Sequence, residues 1–237
     1  DLVAQGTLTV TDPDIGEDSF QAETDIQGTY GSLDIDSSGN WTYRVDNNLE
    51  AIQSLATGEQ LPDSVEVVSY DGTVQTINIT ISGTNDGPVL SGPAPQITAS
   101  EDDNTFTFDL LDGVADPDTL DTLSVDVSSV IPVSGDSSGI VINTNGTLSI
   151  DPNAYTSLPV GSEEVITYSY MVGDGNGGAI QQTATITIAG ADDAPTIGGI
   201  VNGSVTEDVL VDEDGDLVAQ GTLTVTDPDI GEASFQA

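Results

Sequence analysis

The sequence lacks several residue types, and each absence excludes a class of function. Its 237 residues include no Cys, no His and one Lys or Arg, against 41 Asp plus Glu. Without Cys there are no disulfides, and without His or Cys there are no preferred zinc ligands. Nucleic acids and anionic membrane surfaces need a basic footprint, so neither is expected as a partner. The absence of a nucleophile–base pair argues against an enzyme.

Long apolar runs are missing too. No run approaches the roughly 18 residues that a membrane span requires, so we expect no direct membrane insertion. The sequence also shows no signal peptide, and we expect it to be an internal fragment of a longer protein.

What the chain has in excess is negative charge, with a formal net charge of -40. Two unit charges about 4 Å apart repel by roughly 1 kcal/mol in water and about 4 kcal/mol at an effective dielectric near 20. Arg44 is the one fixed cation, so salt bridges cannot compensate, whereas bound metal ions can. A hydrophobic content of 36% favours packed cores, and disorder is the less favoured alternative.

A long internal repeat is the strongest pattern. Residues 1–22 recur as residues 216–237 with one difference, Asp18 against Ala233, which gives a period of 215 residues. A solenoid unit has about 20–50 residues, so each period must contain whole domains.

Two linker-like motifs divide the period. GTNDGP at 83–88 and GADDAP at 190–195 each follow an alternating strand, and Asp86 lies 107 residues before Asp193. The period therefore holds two unlike domains of similar size. We expect a first domain at 1–86 that lacks its opening strand, a complete domain at 87–193, and the opening strands of the next copy at 194–237.

Apolar and polar residues alternate within these domains, as in Trp41, Tyr43 and Val45. Turns rich in Gly, Asn and Asp separate the alternating runs. This pattern predicts an all-β fold of tandem antiparallel β-sandwiches. One helix is predicted at 49–57, with Asn48 as its N-cap and Gly58 as its stop.

The order of the motifs resembles two repeat families of giant bacterial surface proteins. Residues 1–86 resemble VCBS repeats of RTX-type adhesins through GTLTVTDPD, GTYGSLDIDSSGNWTYRVDN and GTND, and residues 203–237 resemble the opening of such a repeat. Residues 87–195 are similar to bacterial cadherin-like repeats through ADPDT, NGTLSIDPNAY, GDGNGG and ADDAP. The resemblance implies cadherin- or immunoglobulin-like sandwiches in a rod, type I secretion to the bacterial surface or medium, and calcium at domain junctions.

The path of the strands predicts which carboxylates meet. Calcium takes six to eight oxygen ligands from separate loops and suits this chain. The first strand after Asp86 reaches Glu101 at the far end of its domain, and the second returns Asp118 to the near end. The turn containing Asp174 belongs at the near end as well, because the last strand runs away from it.

Two junction sites follow from this path. The first is predicted to gather Asn85, Asp86, Asp116, Asp118 and Asp174. The second is predicted to gather Glu101, Asp192, Asp193, Asp227 and Asp229. The further candidate ligands are Asp12, Asp14, Asp71, Asn176 and Glu207, the last at the position equivalent to Glu101.

Other acidic residues have a simpler interpretation. A lone DPD motif is usually a turn with local hydrogen bonds. The presence of three DPD copies beside two linkers is what favours metal sites at the domain junctions. VDEDGD at 211–216 lacks the EF-hand spacing and is predicted to be a solvated turn. Asp34 and Asp36 are predicted to lie on a solvent-facing strand edge, and Trp41 and Tyr43 in the core and not on a sugar platform.

Three function classes remain. We expect calcium-dependent extender repeats of a bacterial adhesin, serving cell adhesion or biofilm formation, with neighbouring repeats as partners. A carbohydrate- or protein-binding sandwich is one alternative, although only 5% of residues are aromatic. A matrix fibre built by strand donation is another, since residues 194–215 carry the opening strand that 1–86 lack and predict head-to-tail self-association.

Overall fold

The structure is a computed structural model that describes residues 1–209 and 211–235. Leu210, Gln236 and Ala237, which belong to the predicted segment 194–237, lie outside the described residues. The described chain divides into two compact units. Unit 1 comprises residues 1–91, 114–124 and 173–180, and unit 2 comprises residues 92–113, 125–172 and 181–237.

Almost all regular structure is β, as the alternating pattern predicts. The strands are β1 (Leu2–Thr7), β2 (Glu23–Gln27), β3 (Ser32–Ile35), β4 (Asn40–Val45), β5 (Gln60–Val68), β6 (Val74–Ser82), β7 (Val89–Leu90), β8 (Gln96–Ser100), β9 (Phe106–Asp109), β10 (Val114–Ala115), β11 (Ser124–Ser134), β12 (Ile140–Ile142), β13 (Thr147–Ile150), β14 (Glu163–Gly173), β15 (Ala179–Ala189), β16 (Thr196–Gly199) and β17 (Leu223–Thr226). A helix, α1 (Glu50–Gln53), and a 3-10 turn (Pro152–Tyr155) complete the list of described elements.

The strands of unit 1 form a four-stranded sheet in the order β1-β4-β3-β2, a β5-β6 hairpin and a short β7-β10 pair. Side chains that alternate along the sheet and the hairpin share one core, which includes Leu33, Tyr43, Val65 and Ile79. Fully burying one such aliphatic side chain contributes about 1.5–3 kcal/mol. Tyr43 is 1% exposed and Trp41 packs against the same core, which confirms that this aromatic pair is structural.

Unit 2 has a sheet in the order β11-β14-β15-β8, a second sheet β12-β13-β9 and a β16-β17 pair. One pairing differs from the predicted antiparallel sandwich, because β8 runs parallel to β15, with Gln96 opposite Thr185 and Ser100 opposite Ala189. The physical reason is that both strands run from the GDGNGG end of the sheet towards Glu101. The parallel ladder therefore delivers Glu101 next to the second linker, where its N–H donates to Ala189.

The predicted helix at 49–57 is wrong in its length and its cap. It is a single turn, Glu50–Gln53, whose N-cap is Leu49 with no side-chain hydrogen bond. The Asn48 backbone N–H and side-chain amide both donate to Asp46, each at 2.9 Å, so Asn48 closes the preceding turn and caps no helix.

A buried carboxylate that the sequence did not single out organises unit 1. Asp63 on β5 is 4% exposed and accepts hydrogen bonds from the Tyr43 hydroxyl at 2.6 Å and from the N–H groups of Thr29 and Tyr30 at 2.7 and 3.0 Å. Burial alone raises the pKa of Asp63, but these hydrogen bonds outweigh it and hold the pKa well below its usual value. Asp63 therefore ties the β2–β3 turn to β5 as an ionised group.

The one fixed cation of the chain is paired on the surface. Arg44 contacts Asp34 at 2.7 Å, with the two side chains 48% and 41% exposed. Asp34 is therefore solvent-facing as predicted but also holds an ion pair and accepts from the Asp25 N–H. Exposed pairs of this kind contribute little to stability, because water and salt screen them. Asp36 caps a turn by accepting from Ser38 and Asn40.

Candidate metal centres

The first linker is fixed to the DPD turn at 116–118 by a backbone hydrogen bond. The Asp86 N–H donates to Asp118 Oδ2 at 2.8 Å, and the Asp118 N–H donates to Asp116 Oδ1 at 2.9 Å, which closes the turn. Asp118 is only 1% exposed. The turn therefore buries one of its carboxylates directly under the linker backbone.

Other acidic and amide side chains of unit 1 meet at this turn. Asp116, Asp118 and Asp121 each offer a carboxylate oxygen, and these oxygens lie within 4.8 Å of one another. The Asn85 side-chain amide donates to Asp174 at 3.0 Å, which turns the Asn85 carbonyl oxygen away from Asp174. We call these residues the first acidic cluster: Asn85, Asp116, Asp118, Asp121 and Asp174.

The GDGNGG turn positions Asp174 through backbone donors. Asp174 is 2% exposed and accepts from the N–H groups of Asn176 and Gly178, at 2.6 Å and at 3.0 Å. A Cβ at position 178 would collide with the Asp174 carboxylate, so only glycine permits this approach. The exposed Asn176 side chain donates to Asp121 at 2.7 Å and so lies at the margin of the first acidic cluster.

A second cluster in unit 2 is built in the same way around the second linker. The Asp193 N–H donates to Asp229 Oδ2 at 2.9 Å, and the Asp229 N–H donates to Asp227 Oδ1 at 3.0 Å. Carboxylate oxygens of Glu101, Asp193 and Asp229 lie within 4.8 Å of one another, as do those of Asp192, Asp229 and Glu232. We call these residues the second acidic cluster: Glu101, Asp192, Asp193, Asp227, Asp229 and Glu232.

Glu101 distinguishes the second cluster from the first. It is fully buried, and its Oε1 accepts from the Ala191 N–H of the linker at 2.6 Å. No glutamate of the described residues occupies the corresponding place in the first cluster. Glu207, the sequence equivalent of Glu101, is exposed and follows a stretch without strand structure.

Buried oxygens without a donor are concentrated in these two clusters. Among the described residues, seven buried side-chain polar atoms lack a hydrogen-bond partner, and six of them are cluster oxygens. They belong to Asn85, Asp116, Asp118, Asp121, Glu101 and Asp229. A buried acceptor without a partner costs about 1–3 kcal/mol, more if charged, so each of these oxygens needs a water molecule or a cation as its partner.

The pKa shifts of several cluster carboxyl groups also reflect the crowding of negative charge. Burial raises the pKa of Asp116, and neighbouring carboxylates, foremost Asp121, raise it further. Burial and then the Asp229 charge raise the pKa values of Asp193 and Glu232. Asp174 shows the opposite direction, because the hydrogen bond from Asn85 lowers its pKa.

The donor set fits calcium. All the candidate ligands are carboxylate or amide oxygens contributed by separate loops, the kind of set that Ca²⁺ accepts at six to eight positions. The sequence contains no His or Cys, which zinc would prefer. Magnesium demands near-ideal octahedral geometry and keeps its water, so it fits buried, irregular oxygen clusters less well.

The remaining predicted ligands lie elsewhere. Asp12 and Asp14 form a third group with Glu17 beside the Asp14–Asp12 turn, but without a buried oxygen that lacks a donor. Asp71 closes its own turn by accepting from Ser69 and Thr73. In VDEDGD, Asp212 accepts from the N–H groups of Asp214 and Asp216, which gives an exposed turn as predicted.

Three residues of the clusters were missed although the sequence signals them. Asp121, Glu232 and Glu17 each lie three positions after the second Asp of a DPD motif. The recurring pattern is therefore Asp-Pro-Asp-x-x-Asp/Glu, and its third acidic residue lies close to the second Asp in all three copies.

Comparisons with known proteins agree with this architecture for the central part of the chain. Residues 84–189 match the family model of the Cadherin-like domain. This cadherin-like domain begins in the first linker and ends just before the second, so it contains the first acidic cluster and Glu101 of the second. A search of curated proteins finds no match.

Solved structures of cadherins are also similar to the chain. Protocadherin Gamma B7 extracellular cadherin domains 1–4 are 17% identical with a TM-score of 0.46, covering 98% of this chain and 56% of that one. Protocadherin Gamma B2 domains 3–6 are 14% identical with a TM-score of 0.47, covering 95% and 60%. Mouse cadherin-23 EC22-24 is 15% identical with a TM-score of 0.43, covering 92% and 84%. The chain thus spans little more than half of the two protocadherin fragments.

A cadherin-like domain supports a general adhesive or extender role, and such families are structural and not catalytic. The family match leaves residues 1–83 and 190–237 outside it, so the VCBS resemblance stays a prediction. The helices of the described residues include none that is long and apolar enough to cross a membrane.

Proposed function

We propose that this chain is a stretch of calcium-dependent extender domains of a secreted or surface-exposed bacterial adhesin. The proposed role is structural and not enzymatic. The cadherin-like domain at 84–189 is one module, and the segments on either side belong to VCBS-type modules. Calcium at the linkers gives the array its stability and stiffness.

The observation that carries the proposal is the pair of buried oxygen clusters at equivalent linkers. Each cluster combines a linker N–H bound to an aspartate, an Asp-Pro-Asp turn and buried oxygens without donors. Diffuse surface charge does not produce this arrangement, because exposed carboxylate oxygens accept hydrogen bonds from water. Because the same arrangement of linker, turn and buried oxygens occurs in both clusters, it supports a cation-binding role for each of them.

The residues have distinct tasks around the ion. In the first acidic cluster, Asp116, Asp118 and Asp121 would supply charged oxygens, and Asn85 would supply its amide oxygen. Calcium, when bound, neutralises these crowded oxygens and cross-links their loops. The Asp86 N–H, bound to Asp118, ties the linker backbone to the ligand set.

An extender role is favoured over ligand recognition by the placement of the aromatic side chains. Tyr43, Tyr155, Tyr168 and Tyr170 are each less than 5% exposed, so these four cannot form a sugar-binding platform. The exposed large aromatic side chains of the described residues are two, Tyr70 at 60% and Phe235 at 52%. An internal repeat of 215 residues suits a protein in which the number of modules sets the reach. A ligand-binding sandwich remains the alternative and predicts saturable binding to a glycan array in calcium.

Hydrogen exchange of the linkers tests the calcium site. In calcium, the Asp86 and Asp193 amides should exchange at least tenfold more slowly than in chelator, because a bound cation suppresses opening of the clusters. The turn at Asp212 supplies an internal control of the same local geometry. Equal protection of the linkers with and without calcium would contradict the proposal.

Small-angle scattering tests the extender role separately. Domains fixed by calcium should give a longer maximum dimension and an interference pattern of a stiff particle at millimolar calcium, the range typical of extracellular modules. Chelator should give the profile of a flexible one. If the scattering profile is the same with calcium and with chelator although calcium binds, the extender role is contradicted and the metal site is not.

A further inference from the structure

We propose that unit 2 binds a second copy of the chain face to face, through the solvent side of its four-stranded sheet β11-β14-β15-β8. All four strands of this sheet lie between residues 96 and 189. The inference rests on the side chains of that one side, and it depends neither on bound calcium nor on the proposed function.

The burial pattern shows which side chains form the solvent side. Tyr168 of β14 and Ile186 of β15 are at most 2% exposed, so the side chains next to them along each strand point to solvent. The ladder of β8 sets Gln96 opposite Thr185, which adds Gln96 and alternate residues of β8 to this side. On β11, Ile131 is 57% exposed and belongs to the solvent side as well.

Among the described residues, this side of the sheet carries no charge over most of its extent. Its side chains belong to Thr, Ser, Gln, Ala, Val, Ile or Met on β8, on β15 from Gln181, on β14 from Val165 to Met171, and on β11 from Ser129. Charge resumes at Glu163, the first residue of β14. We call this surface the neutral face.

A neutral face of this size stands out in a chain where 41 of 237 residues are acidic. Other strands carry carboxylates on their solvent side, namely Asp34 on β3, Glu66 on β5 and Asp109 on β9. Because a net charge of -40 opposes contact through the acidic surface, two copies can approach most closely where both are uncharged. A cationic partner would prefer the acidic surface, so the neutral face suits a second copy.

An apolar patch lies at the β11 side of the neutral face. Ile131, Val133 and Val165 are 57%, 61% and 46% exposed. A Cβ at Gly135 would collide with the Val165 carbonyl oxygen, so β11 runs close against β14 here and the three side chains are neighbours. Covering this patch with a second copy removes apolar area from water, which is the main favourable contribution to association.

Edge-to-edge addition is the other way in which two such sheets could meet, and β11 is built against it. Pro132 has no N–H to donate to an added strand. The Ser128 N–H donates to Asp126 Oδ1 at 3.0 Å and is likewise occupied. At the opposite edge β8 has only five residues. Face-to-face packing needs neither edge, and it is therefore the favoured mode.

The size of the neutral face fits a weak dimer. Four strands about 4.8 Å apart, and about eight residues along β15 at about 3.3 Å each, give a face of roughly 19 by 26 Å. Two copies would together bury about 1,000 Å², the lower limit of specific interfaces. A two-fold axis that overlaps the whole face passes near its centre, so Thr185 would lie close to the same residue of the second copy.

Sedimentation equilibrium of the full chain tests the proposal at concentrations up to about 1 mM, since an interface of this size gives weak association. At about 0.15 M salt, charges beyond roughly 8 Å are screened, and the wild type should dimerise. Thr185→Asp should weaken dimerisation more than about tenfold, because it sets two like charges face to face, and Ile131→Asp should weaken it as well. Thr107→Asp is the matched control, since Thr107 is exposed on β9 in the other sheet of unit 2.

A mixture of variants tests the two-fold arrangement. Thr185→Asp mixed with Thr185→Lys should dimerise again, because opposite charges then meet at the centre, whereas Thr185→Asp mixed with Thr107→Lys should not. The proposal would be overturned by a wild type that is monomeric at all concentrations, by Asp variants of the neutral face that dimerise like Thr107→Asp, or by equal behaviour of the two mixtures. A monomeric wild type that binds a neutral glycan array, and loses this binding in Thr185→Asp, would assign the neutral face to a polysaccharide instead.

Discussion

Asp118→Asn should change thermal stability in opposite directions with and without calcium. Asp118 Oδ2 accepts from the Asp86 N–H at 2.8 Å, and an asparagine oxygen preserves that bond. Asp118 Oδ1 has no partner and lies in a group with Asp116 and Asp121 whose oxygens are within 4.8 Å of one another. The substitution replaces a buried, crowded charge by an amide of the same shape.

The magnitudes follow from the two states of the cluster. In chelator, Asn removes repulsions of about 1–4 kcal/mol per neighbouring charge, so the variant should be the more stable by about 1–3 kcal/mol. In calcium at about 1,000 times Kd, the ion contributes about 4.1 kcal/mol to the wild type and little to the variant. Set against the gain in the ion-free state, the variant should be the less stable by about 1–3 kcal/mol in calcium. At about 2–4 °C per kcal/mol, Tm should fall by several degrees in calcium and rise by a few degrees in chelator.

Calorimetric melting of both proteins in both buffers measures this reversal. Asp212→Asn is the matched control, because Asp212 closes a similar turn while exposed and outside both clusters. It should shift stability by less than about 0.5 kcal/mol in either buffer. A change of the same sign for Asp118→Asn in calcium and chelator would refute the assignment of Asp118 as a calcium ligand.

Other predictions concern unit 1 and the choice of ion. Asp63→Ala should destabilise the protein by about 3 kcal/mol or more in either buffer, since it leaves the buried Tyr43 hydroxyl and several N–H groups without an acceptor; an urea midpoint equal to wild type would contradict this. Because the folded-state pKa of Asp63 is lowered, its contribution is present above the usual value of 3.8 and is lost as pH falls towards the folded-state pKa, so the stability gap between wild type and Asp63→Asn should narrow in acid and not in base. Magnesium and zinc at equal concentration should raise Tm less than calcium, and an equal rise would mean unspecific charge screening.

The sequence was sufficient for the parts of the site that follow from strand direction. Glu101 and Asp118 were predicted at opposite ends of one domain, and the structure places them in different clusters. The argument works because a strand has a fixed rise and the linkers fix where it starts. The same reasoning requires the first and last strands to run in one direction, which is the parallel pair that the antiparallel prediction overlooked.

Other features of the structure have a weaker signal in the sequence. Asp63 lies in an ordinary alternating run, and only the fold shows that Tyr43 and the β2–β3 turn converge on it. The helix predicted at 49–57 forms only one turn. Asn48 does not cap it, because its N–H and its side-chain amide donate hydrogen bonds to Asp46. Asp34, predicted to lie on a solvent-facing strand edge, also pairs with Arg44 across adjacent strands, a contact set by register and not by sequence distance.

Isothermal titration with calcium, comparing the wild type with the Asp118→Asn/Asp229→Asn double variant, tests the central claim most directly. Each substitution changes the aspartate that binds a linker N–H in one cluster. We expect the wild type to bind at least one ion per cluster with saturable heat, and the double variant to lose at least about 1.4 kcal/mol of binding free energy, a tenfold loss of affinity, at both sites. Indistinguishable isotherms, or a wild type without saturable binding at millimolar calcium, would contradict the account.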